Sequence, residues 1–522
     1  MHLTQVIHKA AREKPTGIAT VFKQRRTTNA QVIQRVARLA ASLASFGVNI
    51  EDRIGILSAN SDYYLEAIYA ALWVGGVINP INTRWSSQEI AFSLVDCDTR
   101  VLFIDDNFLP ILKDLKRLSP CLETIIYCGE HSAPEGTHDF EGLIAANEPI
   151  ADRHRCDNDV AAILYTGGTT GQPKGVMLSH QAILMNALST LAASQRPEIN
   201  VEMHVAPLFH VGGLATLFQS ALRQITQVIL PHFEPKLVIQ TIAQEQVNET
   251  FLVPTMLQMV LDCPDFANHD LSSLRNIVYG AASIDETLLK QAIQALPNTQ
   301  FMQVYGMTEA APVVTVLPAF CHTTAGQKLN KLKSAGRPTP TCEVKIVHPS
   351  TGKECAFGEF GEITVRTPSL MLRYWNKPTQ TEHALRDGWL YTGDGGYLDE
   401  DGYLFVTDRL KDMIVSGGEN IYSSEVENAL LSHPSIQLCA VIGIPHPKWG
   451  EAVHAMIVLR DNHILTSEEA IKYCRSLIAG YKSPRSIEFR SELPLSAAGK
   501  ILKSELRASY RDNAISSLET GK

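Results

Sequence analysis

The sequence predicts an α/β protein, with a large N-terminal region built on largely parallel sheets and a small α+β domain at the C-terminal end. Three observations predict it. Helix-like and strand-like segments alternate through about the first 300 residues, the rhythm of strands joined by crossover helices. After Arg337 the texture changes to short apolar runs separated by Gly, Asp and Pro, which suits a smaller antiparallel sheet. The last 110 or so residues then carry two helical and two strand-like runs, the size of a small domain.

Asn29 to Phe46 has helical apolar spacing and stops at Gly47, and Ser61 to Trp73 is helical and stops at Gly75-Gly76. Arg53 to Ser58, Val77 to Ile81 and Val101 to Ile104 are strand candidates, as are Gln227 to Leu230, Glu249 to Val253, Asn276 to Tyr279 and Gln300 to Val304. Val344 to Val347, Gly361 to Arg366 and Gly402 to Val406 form the later antiparallel set. A boundary falls at Asp408 to Lys411, dividing the chain into 1–407, a connector at 408–411, and 412–522. Within the last part, Ser423 to Ser432 and Ser467 to Ala479 read as helices, and Gln437 to Ile444 and Val453 to Leu459 as strands. No repeat and no low-complexity segment is visible.

The 522 residues amount to about three domain-sized units, and 45% hydrophobic with 19% charged residues is a globular composition. A net charge of −9 without a long basic run excludes nonspecific nucleic-acid binding as a leading class. The ten cysteines are scattered and none forms a C-x-x-C pair, so reduced thiols are expected and not a disulfide framework or zinc site. The N-terminus has no apolar signal core, and the most apolar stretch, Ala67 to Ile78, is too short for a membrane span of roughly 20 residues. The C-terminal Glu519-Thr520-Gly521-Lys522 is not a peroxisomal address, which leaves the cytoplasm as the default location.

The strongest motif is Ala162-Ile163-Leu164-Tyr165-Thr166-Gly167-Gly168-Thr169-Thr170-Gly171-Gln172-Pro173-Lys174-Gly175. An apolar strand runs into four glycines, three threonines and a lysine. Glycine lets backbone N–H groups turn toward an anion, threonine hydroxyls donate further hydrogen bonds, and lysine adds a point charge. This suits a polyphosphate, although the spacing is not that of a Walker loop. The segment resembles the signature of the adenylate-forming enzymes, which include acyl-CoA synthetases, carrier-protein adenylation domains and beetle luciferases. Four further segments agree with that family in order: Tyr305-Gly306-Met307-Thr308-Glu309, Tyr391-Thr392-Gly393-Asp394, Asp408-Arg409-Leu410-Lys411-Asp412, and Gly499-Lys500-Ile501-Leu502-Lys503. Ala498 stands where the family usually has Thr, and Lys503 where Arg is frequent.

The resemblance implies a large N-terminal domain of α/β sheets with a small barrel-like part, and a mobile C-terminal lid. It implies ATP, Mg²⁺ and CoA, with a carboxylic acid activated as its adenylate before a thiol displaces AMP. Thr166, Gly167, Gly168, Thr169, Thr170 and Lys174 would cradle phosphates, Glu309 would hold Mg²⁺ and Thr308 would meet the α-phosphate. Adenine would lie near Gly280, Ala281 and Ala282, with Gln303, Gly306 and the flat face of Tyr305 nearby, although the three small residues also read as a tight strand-to-helix turn. Asp394 and Arg409 would take the ribose, with Asn420 also near the nucleotide. Lys500 would act at the α-phosphate in the first step. A rotation at Lys411 would then present Gly417 and Gly418, the latter 82 residues from Lys500, to CoA.

The acyl wall implied is His210, Val211, Gly212, Ala215, Val278, Val304 and Ala310, with Thr216 among its neighbours. The resemblance also puts His210 beside the thiol's route and among the catalytic candidates with Lys500, Thr308 and Glu309, although a lone His beside Phe209 also reads as a packed core residue. Since an unpaired buried ion is costly, an almost uncharged wall points to an apolar acid, and a medium or long aliphatic acid ranks ahead of an aromatic propenoic acid. The expected function is thus an ATP-dependent acid–CoA ligase of fatty acid metabolism. The alternatives are a coumarate-like ligase or a stand-alone enzyme loading an acyl carrier protein. The partners are small molecules, with no nucleic acid and no membrane span expected and a homodimer left open.

Overall fold

Parallel strands need long crossovers, and the helices between them here supply both the crossover and the cover for each sheet face. The computed structural model describes every residue except 167–172, 283, 411, 417–418, 447, 497–500, 509 and 511–522, with Asn420 described by its backbone alone. Among the described residues the strands form four sheets. The first has eight strands in the spatial order Arg373–Tyr374, Lys174–Ser179, Val160–Thr166, Val77–Pro80, Arg53–Leu57, Thr99–Ile104, Thr124–Tyr127 and His138–Asp139. From Val160–Thr166 onward its pairings are parallel, and the two strands at the other edge are antiparallel.

The second sheet has nine strands, with a parallel centre of Gln300–Gly306, Asn276–Gly280, Glu249–Leu252, Val201–His204, Thr226–Ile229 and Ile18–Phe22. Helix Asp62–Trp73 joins the two sheets: all of its residues are buried, and it packs in one apolar cluster with residues of both, including Ile54 and Phe22. An all-round buried helix must answer its polar groups internally. Asp62 is bonded by the Arg25 guanidinium at 2.7 Å, and Glu66 by Arg35 Nε at 2.7 Å. Burial pushes the Glu66 carboxyl up to about 7, with Arg35 pulling the other way.

The third sheet is antiparallel, built from Glu343–Val347, Gly361–Arg366, Trp389–Leu398, Leu385–Arg386 and Leu404–Arg409. Its last strand lies later than the expected Gly402 to Val406. Gly402 takes a φ of +77° and its N–H donates to the Asp399 carbonyl, so the chain is still turning there, and pairing then runs on to Arg409. The fourth sheet joins Ile414–Ser416, Glu419–Ile421, Ile436–His446, Gly450–Leu459 and Ser486–Phe489. Helices Ser423–Leu431 and Ser467–Leu477 pack on it around Val426, Leu430, Ala470 and Cys474. The expected α/β class is therefore present, with a large N-terminal part of mixed sheets and a smaller C-terminal domain.

Several contacts among the described residues join the C-terminal domain to the rest. Asp408 Oδ2 accepts from the Ser423 N–H at 2.6 Å, the Thr407 carbonyl accepts from Ser424 Oγ, and Arg460 Nη1 lies 3.8 Å from Asp262 Oδ2. Arg84 Nη1 donates to the Ser496 carbonyl at 2.9 Å. All ten cysteines are free, and among the described residues no helix is long and apolar enough to cross a membrane.

Because Glu66 binds its proton more tightly in the folded chain than at the ordinary 4.5, its contribution to stability falls as pH rises from that value to about 7. Arg35→Met strands Glu66 without its cation and should cost about 3–5 kcal/mol, seen as a lower thermal midpoint that falls further between pH 5 and about 7. A melting profile unchanged by Arg35→Met would refute the pairing.

Candidate active site

The strands on either side of the Gly-rich segment form a hairpin. Val160–Thr166 and Lys174–Ser179 pair antiparallel, with Thr166 opposite Lys174 and Tyr165 opposite Gly175. Gly167, Gly168, Thr169 and Thr170 lie outside the described residues, but the base of the hairpin is closed on three sides. The Tyr165 hydroxyl donates to Asp96 at 2.6 Å, Trp375 Nε1 donates to the Asp96 carbonyl at 2.7 Å, and the Trp375 N–H donates to the Gly175 carbonyl at 2.7 Å. Thr166 and Pro173 border a cleft of about 2360 Å³ between the two parts of the chain. Lys174 sits beside it, its Nζ 5.1 Å from the centre of the Tyr374 ring.

Strand Gln300–Gly306 ends at the same cleft and turns through a short 3₁₀ segment, Thr308–Ala310. Gly306 is required there, since a Cβ would overlap the Pro312 carbonyl. Glu309 is 9% exposed and borders the cleft. Its Oε1 accepts from the Tyr374 hydroxyl at 2.7 Å, and its carbonyl accepts from the Met371 N–H at 2.8 Å. Behind it the buried Asn186 amide donates to the carbonyls of Ala310 and Val313 and accepts from the Val313 N–H. Burial and the Glu309 charge push the Tyr374 phenol up, so it stays a donor.

Asp394, 5% exposed, lies opposite Arg409 in the antiparallel sheet. Arg409 Nε meets Oδ1 at 2.7 Å and the Tyr305 hydroxyl donates to Oδ2 at 2.7 Å. Burial, then the Asp394 charge, raises the Tyr305 phenol well above its ordinary value. Both carboxylate oxygens thus have one protein partner and lone pairs left, and all three side chains border the cleft. Ala281 and Ala282 border it as well, with Ala281 left-handed at φ 67°, so the strand-to-helix turn is real. Gly280 sits one layer back, where a Cβ would overlap the Val304 carbonyl.

His210 caps helix Val211–Arg223, its Nδ1 accepting from the Gly212 N–H at 3.3 Å. His210, Val211, Gly212, Ala215, Thr216, Val278, Gln303 and Val304 line the cleft, while Ala310 is buried behind it. The almost uncharged wall needs a correction. At its far end stand Thr190, Gln219 and the buried Arg196, whose Nη1 is 2.6 Å from Glu249 Oε1. Arg196 enters from the segment after helix His180–Ala193, and nothing at its own position in the sequence marks it as facing the pocket. Tyr374 and Asn186 were likewise missed, since only the fold brings each to the Glu309 turn.

Lys500, Lys411, Gly417 and Gly418 lie outside the described residues, as does the Asn420 side chain. Ser496 and Ile501, on either side of 497–500, both border the cleft. Among the described residues the one group of three His, Cys, Asp or Glu side chains close enough to share an ion is His2, Asp152 and His154, none of which lines the cleft. Among the described residues the turn after Gln300–Gly306 therefore offers a metal one carboxylate, that of Glu309, and not a cluster of ligands. A hard, largely hydrated cation bound mostly through phosphate oxygens fits that donor set.

Asp394→Ala removes the acceptor shared by Tyr305 and Arg409. It should raise the KM for ATP about 10- to 100-fold in pyrophosphate exchange, as expected for lost charge-assisted hydrogen bonds. Tyr374→Phe should lower the same exchange about tenfold by releasing the Glu309 carboxylate.

Comparison with known proteins gives the family. Residues 7–375 match the AMP-binding enzyme family, and residues 425–500 match the AMP-binding enzyme C-terminal domain. A feruloyl-CoA synthase from an Amycolatopsis species is 37% identical over 503 residues, covering 96% of this chain and 98% of that protein. A long-chain-fatty-acid–CoA ligase of Mycobacterium tuberculosis is 34% identical over 489 residues, 93% of each chain. The crystal structure of an anthranilate CoA ligase in complex with anthranoyl-AMP superposes with a TM-score of 0.92 at 27% identity, over 99% of this chain and 98% of that one. The chain is an enzyme, and it belongs to the AMP-binding family of adenylate-forming enzymes in which those acyl-CoA ligases stand.

Proposed function

We propose that this chain is an ATP-dependent acid–CoA ligase that activates an apolar carboxylic acid as its acyl-adenylate and passes the acyl group to CoA. The observation that carries the reading is the clasp of Tyr305, Asp394 and Arg409 on the same cleft as Glu309 and the base of the Gly-rich hairpin. Asp394 has lone pairs for two ribose hydroxyls, and Arg409 holds its charge in place. The ring of Tyr305 offers a face to adenine beside Ala281 and Ala282. Thr166 and Lys174 hold the outer phosphates together with Gly167, Gly168, Thr169 and Thr170, and Thr308 meets the α-phosphate.

Glu309 holds Mg²⁺, which when bound supplies positive charge to the phosphates. The carboxylate of the acid attacks the α-phosphorus, pyrophosphate leaves, and Lys500 answers the charge on the crowded centre. A rotation about Lys411 then replaces Lys500 by Gly417 and Gly418, between which and the cleft the CoA thiol enters, and AMP leaves. His210 stands at the mouth of the acyl pocket as a helix cap, a positioning role that keeps its Nδ1 an acceptor.

The names of the relatives support both an aryl acid and a long alkyl acid. Both have the apolar body that Val211, Ala215 and Val278 accommodate.

Lys500→Ala should cut pyrophosphate exchange at least about a thousandfold while sparing thioester formation from supplied acyl-adenylate. Gly418→Leu should do the reverse. Equal loss of both half-reactions in either variant counts against the assignment. Pyrophosphate release without CoA, with AMP release dependent on CoA, separates this activity from a carrier-protein loader.

A further inference from the structure

Away from the cleft, three imidazoles and one carboxylate gather where the start of the chain meets the segment that feeds strand Val160–Thr166. His2 precedes helix Gln5–Glu13, His8 lies within it, and Asp152 and His154 belong to the segment before the strand. One ring nitrogen of His2, one of His154 and one carboxylate oxygen of Asp152 all lie within 4.8 Å of one another. His8 Nε2 is 2.9 Å from Asp152 Oδ2, and His154 Nδ1 is 3.5 Å from the same oxygen. The three ring centres are 5.0, 5.7 and 6.5 Å apart.

The Asp152 side chain is 1% exposed, and among the described residues its ion-pair partners are His8 and His154, with no Lys or Arg. A buried carboxylate needs its charge answered. One protonated His8 would answer it alone and would leave the convergence of His2 and His154 unexplained. Protonating all three rings would set cations side by side. A divalent ion among neutral imidazoles answers the carboxylate and uses every ring lone pair at once.

The groups are held in place before any ion arrives. The His8 ring stacks on Trp73, 4.6 Å between centres. Trp73 Nε1 donates to the Ile150 carbonyl at 2.9 Å, and the Trp73 carbonyl accepts from the Arg153 N–H at 3.1 Å. Both arms of the cluster therefore rest on the buried helix Asp62–Trp73. Asp152 Oδ1 accepts from the His154 N–H at 2.8 Å, which fixes the carboxylate. His2 Nδ1 is 2.9 Å from Thr4 Oγ1. With that hydroxyl accepting, Nε2 of His2 keeps its lone pair, the arrangement that outer hydrogen bonds give to metal-binding histidines. The His154 side chain is 60% exposed, so an ion can enter from solvent.

We propose that His2, Asp152 and His154, closed by His8 as fourth ligand, form a zinc site that ties the N-terminal helix to the segment leading into the Val160–Thr166 hairpin. Imidazoles with one carboxylate suit Zn²⁺ and not the hard Mg²⁺. Tetrahedral bonds of about 2.0–2.2 Å set ligand atoms about 3.4 Å apart, so the rings close slightly on a fixed carboxylate. Four protein ligands make a closed site with a structural role. Cysteine spacing, which argues against a thiolate site, does not bear on this ligand set.

The test uses the full chain without a polyhistidine tag, stripped by a chelator and titrated calorimetrically with Zn²⁺. The wild type should take up about one Zn²⁺ with a Kd at or below about 1 μM. Its melting midpoint should rise on binding, since the ion binds the folded chain. His154→Gln and His2→Gln should each weaken that uptake at least about tenfold and cancel the rise, while their metal-free midpoints match the wild type. Co²⁺ in place of Zn²⁺ should give the visible bands of a tetrahedral site without the charge-transfer band of a thiolate. No Zn²⁺ uptake in that range, uptake untouched by both variants, or an octahedral or thiolate Co²⁺ spectrum overturns the proposal. None of these measurements reads acid–CoA ligation, so the ligase reading stands or falls separately.

Discussion

A carboxylate is held inside a protein only where its charge is answered, and Asp394 is answered from two directions at once. The hydroxyl of Tyr305 comes from an interior strand of the nine-stranded sheet, and the guanidinium of Arg409 from the last strand before the C-terminal domain. One side chain thus fixes where the large sheet, the small antiparallel sheet and the exit of the chain toward its final domain meet. The cleft exists because those three pieces converge there, and the turn carrying Glu309 is set against it by a second junction of Tyr374 and Asn186. Remove the compensation at Asp394 and a buried anion remains with nothing to justify its burial.

Much of this was legible in the sequence. Helix ends at Gly47 and Gly75 follow from backbone freedom that other residues lack, with φ near 80° at both, and most strand candidates fall within a residue or two of their observed bounds. The family resemblance of the motifs implies Thr166, Thr308, Glu309, Tyr305, Asp394 and Arg409, and the fold brings all of them to one cleft. What was not legible is what pattern cannot encode. Tyr374 reaches Glu309 across 65 positions and Arg196 reaches Glu249 across 53, and neither carries a local signature. The acyl wall that the resemblance implies is almost uncharged, and Arg196 joins it only through the fold. The polar end of the pocket is assembled from the loop of Arg196, the two helices of Thr190 and Gln219, and the strand of Glu249.

The two ends of the acyl pocket follow different physical rules. Near His210 and Gly306 the chain presents backbone and small side chains, so shape governs what passes. At the other end Gln219 is held by hydrogen bonding, its Oε1 accepting from Arg196 Nη2 at 2.9 Å, so polar geometry adds to shape. Arg196 serves the second end without contacting the first, and its charge is spent on Glu249.

The free cysteines carry a further consequence. An acyl-adenylate is an electrophile, and any nearby thiolate would capture the acyl group ahead of the intended acceptor. Among the described residues the cysteine bordering the cleft is Cys439, which is 3% exposed and whose proton is held far more tightly than in water, first by burial and then by the Glu427 charge. Self-acylation is thereby silenced by desolvation, and the scaffold stays chemically mute toward its own intermediate.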